Sequence, residues 1–126
     1  LTTRLDQIKL ALDQTPAAPA EAREKARKAI AAHRLTVRVL SGDNLLRGRN
    51  ENAPMSIAER AGVAAGATRT MIDKPTGTQR EQFKIARIEL DGATKKIRAL
   101  IDGEVKELEK LLDQLGAPYT PGRLPH

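Results

Sequence analysis

Residues 78–115, TQREQFKIARIELDGATKKIRALIDGEVKELEKLLDQL, constrain the fold more than any other stretch of this chain. Apolar residues recur at Phe83, Ala86, Leu90, Ala93, Ile97, Leu100, Ile101, Val105, Leu108, Leu111, Leu112 and Leu115. That three-and-four spacing draws one stripe along a helix, with charged residues on the opposite face. Thr78 with Glu81 forms a capping box, Thr76 with Gln79 offers an alternative, and Gly116 with Pro118 supplies the stop. The helix is expected to run unbroken through Gly92 and Gly103 for roughly 57 Å, because packing of the stripe outweighs the cost of two glycines. Such a stripe cannot be buried by one helix, so other helices must lie along it.

The rest of the chain supplies them. Residues 3–14 read as a short helix with Leu5, Ile8 and Leu12 on one face and no good N-cap. TPAAPAE at 15–21 is a Pro/Ala linker whose Pro19 and Glu21 suit the start of a second helix. That helix is expected over about 19–40, with Ala22, Ala26, Ala29, Ile30, His33, Val37 and Leu40 inward. RLTVRVL at 34–40 alternates as a strand would, but it has no partner strand, and a helix is the consistent reading. SGDNLLRGRNENAPM at 41–55 is irregular. Ser56 with Glu59 then caps a third helix, about 57–71, made almost wholly of Ala and Gly. Its Gly62 and Gly66 predict close approach to a neighbouring helix. The tail APYTPGRLPH has too many prolines for a helix and must be extended.

Composition narrows the function classes. The two aromatics, Phe83 and Tyr119, leave a core of Leu, Ile, Val and Ala, which favours close-packed helices over a β-sandwich. No run approaches the length of a transmembrane helix, so membrane insertion is not expected. With no cysteine there is neither a disulfide nor a Cys-based metal site. LTTRLDQIKL at the start lacks both an initiating Met and a signal-type apolar run, and reads as the edge of a piece cut from something longer.

A catalytic constellation is missing. His33 falls on the apolar face of the second helix and His126 is the last residue. There is no H-E-x-x-H, phosphate-binding loop or G-x-S-x-G. Glu104, Glu107 and Glu109 read as a solvated face among Lys106 and Lys110. No enzyme activity and no cofactor are therefore expected within these residues. The basicity is local: residues 19–49 hold eight basic and three acidic side chains, whereas 50–126 hold twelve and eleven. Arg23, Arg27, Arg34 and Arg38 share a helical face, and Arg47 and Arg49 follow in the loop. These six, with Tyr119 and Arg123 in the tail, form the candidate interaction surface. Tyr119 is expected to pin the tail against the 41–55 loop, with Arg123 reaching a carboxylate such as Glu51. Phosphate binding by the basic face would suit a nucleic acid, but no aromatic is interleaved for base stacking.

Three segments carry a resemblance: NENAPMSIAERAG, then PTGTQREQF, then the long helix ending LEKLLDQLGAPYTPGRLP. Over roughly residues 45–125 the chain resembles the C-terminal helical region of bacterial sortilin-like, BNR-repeat β-propeller proteins, often labelled glycosyl hydrolase-like. It departs from that pattern in the Ala/Gly richness after Ser56 and in Tyr119, where Trp is common. The resemblance implies a bundle appended to a propeller in an exported protein. The hydrolase label belongs to the propeller and transfers to no residue here.

The combined expectation is an all-α antiparallel bundle of about four helices, a single domain over residues 1–126, with a long C-terminal helix and an extended Pro-rich tail. Its expected role is structural or interactive, with the parent's β-propeller or another protein as partner. The alternatives are a small basic nucleic-acid-binding bundle and a contributor of loop residues to a hydrolase site completed by the propeller.

Overall fold

The computed structural model describes residues 1–43, 46, 48–49, 51–66, 76–118 and 120. The chain is all-α, with no strand among the described residues. Four helices reach ten residues or more: α1 Thr2–Gln14, α2 Ala20–Ser41, α3 Ile57–Gly66, and a 38-residue α4. The last comprises Gly77–Leu100, a π-helical turn Ile101–Val105, and Lys106–Gln114. The chain divides into two compact units, Leu1–Arg34 with Ile97–His126, and Leu35–Lys96.

In the first unit, Leu5, Ile8 and Leu12 of α1 are almost fully buried with Val105, Leu108 and Leu112 of α4. The small residues Ala22, Ala26 and Ala29 of α2 join them, and their size lets helix backbones come close. Thr2 of α1 meets His33 of α2, while Leu12 and Thr15 meet Arg23, so α1 and α2 run antiparallel. α4 ends as its Gly116 foretold: Gly116 takes a left-handed φ of 60°. Its N–H donates to the Asp113 carbonyl, the Ala117 N–H donates to that of Leu112, and Ala117 is buried beside Leu112. This is a Schellman stop.

In the second unit, Ile57 of α3 packs with Ala86 and Ala93 of α4, and Leu40 lies against them. Ser56 and Glu59 form the expected capping box, with the Ser56 N–H donating to the Glu59 carboxylate and the Glu59 N–H to Ser56 Oγ. At the start of α4 the box is Thr76 with Gln79, not Thr78 with Glu81: the Thr76 N–H donates to Gln79 Oε1 at 2.8 Å. The helix begins one residue before Thr78, so the cap belongs to Thr76.

Three expectations about faces are corrected. Val37 is exposed and Thr36 is buried instead, because the face running through Ala29 and His33 reaches position 36. Gly62 and Gly66 make no close approach, since a Cβ at either would meet nothing within 4 Å. Phe83 and Leu90 are 61% and 46% exposed, although both sit in the stripe legible in the sequence. In the second unit it is Ala86 and Ala93 that pack with Ile57, so the buried face there is theirs and not that of Phe83 and Leu90. The Lys106 N–H bonds to the Ile101 carbonyl five residues back, so the π turn accommodates one residue more than an α-turn. One extra residue shifts the face by about 100°. The helix is nonetheless continuous through Gly92 and Gly103, as expected. Residues 67–71, expected to complete the third helix, and the tail residues Tyr119 and Arg123 lie outside the described residues.

Candidate interaction surface

The basic face of α2 is real as a row, and most of its side chains already have partners within the chain. Arg23 Nη2 donates to the Thr15 carbonyl at 3.1 Å and Nε to the Leu12 carbonyl, which caps the end of α1 with a positive charge. Lys25 is ion-paired with Glu107 of α4. Glu24 lies within 4.0 Å of Arg27 and 3.9 Å of Lys28. Arg38 pairs with Asp43 just past the helix end at 3.3 Å. Arg34 and Arg49 are exposed, and Arg47, Tyr119 and Arg123 lie outside the described residues. A shallow depression beside Glu24, Lys25, Arg27 and Lys28 is walled by one helix and by charges that already neutralise one another.

Two buried polar contacts lie in the first unit. Glu109, read from sequence as part of a solvated face, is only 5% exposed. Arg4 meets it in a bidentate fork of 2.5 and 2.6 Å, and these hydrogen bonds hold the guanidinium above its usual basicity. A separation of 105 residues hides this pair from any local pattern. His33 is buried as expected, with Nε2 at 2.9 Å from Thr2 Oγ1. Burial pushes its pKa down against the opposing effect of Asp6, so the ring stays neutral at pH 7. At the surface, Asp13 and Asp102 are held below the usual carboxylate range by hydrogen bonds from Lys9 and Lys106. Among the described residues no three His, Asp or Glu side chains group to hold a metal, and no helix is long and apolar enough to cross a membrane.

The second unit presents a different surface. Arg60 joins α3 to α4 through Gln82 at 2.7 Å and Glu89 at 3.2 Å, and since Ile57 meets Ala93 and Ala86, these two helices also run antiparallel. Outside that seam, large apolar side chains stand in solvent: Leu35 and Val39 on α2, Val63 on α3, Phe83, Ile88 and Leu90 on α4. Leu35 and Val39 are four residues apart on the side of α2 away from His33 and Thr36. The strand-like alternation of RLTVRVL was the one available signal, since it places apolar residues on both sides of a helix. Leu35 with Val39, and Phe83 with Leu90, form two short exposed apolar rows, each able to meet another apolar surface.

No protein family, curated protein or solved structure matches this chain.

Proposed function

We propose that this chain is a non-catalytic helical interaction module that works through its second unit. One observation carries the reading. The unit buries Ile57, Ala86 and Ala93 in its own cluster, yet leaves Leu35, Val39, Val63, Phe83, Ile88 and Leu90 exposed. At about 1.5–3 kcal/mol for each large side chain fully buried, such groups are worth far more against a partner than in water. The α2 arginines, named from sequence as the candidate surface, support the reading less, because their charges are largely committed within the fold.

The partner we propose is a β-propeller of the same exported protein, on the resemblance of residues 45–125 to the helical region of sortilin-like proteins. The propeller, not this chain, would carry any hydrolase chemistry. The test is to read the coding sequence upstream of Leu1 and co-express any propeller it encodes with this chain. Co-elution that Leu35→Ser with Val39→Ser abolishes supports the proposal. An upstream region without a propeller removes the partner, and co-elution untouched by these substitutions removes the surface.

A further inference from the structure

The exposed side of α4 in the second unit combines apolar and charged groups in an ordered way. Phe83 and Leu90 are seven residues apart and lie within about 20° of each other around the helix axis, so they form one short apolar row. Arg80 and Arg87, three before and four after Phe83, run beside that row. Lys84, Asp91 and Lys95 form the next row, and all five charged residues are exposed. Arg80, Lys84, Arg87 and Lys95 make no ion pair among the described residues. Of the remaining acidic groups of this segment, Glu89 is held by Arg60, and Glu81 is exposed beyond the Lys84–Lys95 row, away from Phe83. Four cations without an ion pair among the described residues, against the two carboxylates Asp91 and Glu81, thus flank an unfilled apolar row. The cations of α2, by contrast, are largely occupied.

We propose that this face docks an acidic amphipathic helix of a partner protein. Such a helix would bring apolar residues at i, i+3 or i+4, and i+7 onto Phe83 and Leu90, with Asp and Glu along the flank that meets Arg80, Lys84 and Arg87. Charge selects this occupant over a second copy. In a two-fold self-contact the same patch meets itself, which sets the basic row against a basic row, and like charges so placed oppose association. Desolvation of the two apolar side chains supplies affinity, while the cations set orientation and exclude basic partners.

This proposal rests on the reading of the second unit as an interaction surface and gives the Phe83–Leu90 row an occupant of its own, apart from the propeller proposed for Leu35 and Val39. The test uses the chain with a synthetic amphipathic helical peptide of about 18 residues, bearing Leu at the core positions and Glu on the flanks. The same peptide with Lys for Glu, and phosphatidylserine/phosphatidylcholine vesicles, complete the set. The Glu peptide should bind, weaken with added salt, and lose roughly tenfold or more in affinity with Arg80→Glu/Arg87→Glu and with Phe83→Ser. Arg27→Glu/Arg34→Glu on α2 should leave affinity unchanged. Circular dichroism at 222 nm confirms that each variant keeps its helices, since every substituted side chain is exposed.

Equal binding of the Lys peptide, an equal loss in the α2 control, or tighter binding to vesicles than to the Glu peptide would overturn the proposal. So would self-association that Phe83→Ser abolishes. If the Glu peptide fails while Leu35→Ser/Val39→Ser still disrupts capture of the propeller, the interaction role stands and the α4 site falls. If neither set of variants matters, both fall.

Discussion

Removing Arg4 isolates the energetic weight of one buried charge. In Arg4→Ala, the Glu109 carboxylate, whose side chain is 7% exposed, loses both hydrogen bonds of the fork and gains no replacement. Breaking a buried pair by removing one partner costs about 3–5 kcal/mol. The Arg4 side chain is 29% exposed, so water partly reaches the vacated space, and the expected loss is about 2–3 kcal/mol. With no Trp and one Tyr, the chain offers little fluorescence, and urea unfolding followed by circular dichroism at 222 nm is the suitable assay. At a slope near 2 kcal/mol per molar urea, the midpoint should fall by about 1–1.5 M. Lys9→Ala, which breaks an exposed pair on the same helix, should leave the midpoint where it is. Arg4→Met/Glu109→Leu should recover most of the loss, since an apolar pair of similar volume removes the stranded charge. An Arg4→Ala midpoint no lower than that of Lys9→Ala would refute the argument and reduce the fork to a surface ion pair.

Three further outcomes are expected. His33 binds its proton more weakly folded than unfolded, so stability should fall as pH drops from about 6.5 through the lower folded pKa, and His33→Gln should flatten that slope in melts between pH 7 and 5. Gly62→Ala should raise the melting midpoint by stabilising α3 by about 0.5–1 kcal/mol, because nothing crowds the new methyl; a fall would restore the close-packing expectation. Ser56→Ala should cost about 1 kcal/mol, visible as faster amide hydrogen exchange over residues 57–60; unchanged exchange would show that the box does not hold the helix start.

Local rules were legible in the sequence, and long-range ones were not. The Ser56–Glu59 box, the Gly116 stop, the face of Leu5, Ile8 and Leu12, and the burial of His33 depend on residues a few positions apart. The Arg4–Glu109 fork and the Arg60 links to Gln82 and Glu89 depend on which helices meet, and no spacing encodes that. Arg23 was legible as a cation, but its duty at the end of α1 appears only once α2 folds back. Phe83 and Leu90 were misplaced for a subtler reason. A periodicity count treats α4 as one stripe, whereas its two ends belong to separate clusters, and in the second of these Ala86 and Ala93 supply the buried contacts with Ile57.

The π turn sets how α4 tolerates changes in length. A helix usually resists deletion of a residue, because everything beyond the cut swings round by about 100°. Here the extra residue between Leu100 and Val105 is already absorbed as a bulge, so taking one out undoes the bulge instead of the packing. Deleting Gly103 should convert Ile101–Val105 into ordinary α-helix and keep Leu100 aligned with Val105, Leu108 and Leu112. Deleting Glu107, past the bulge, should instead swing Leu108 and Leu112 out of the core and lower the melting midpoint sharply. The position of the bulge thus marks the one place in this helix where the chain can shorten by a residue and keep its faces.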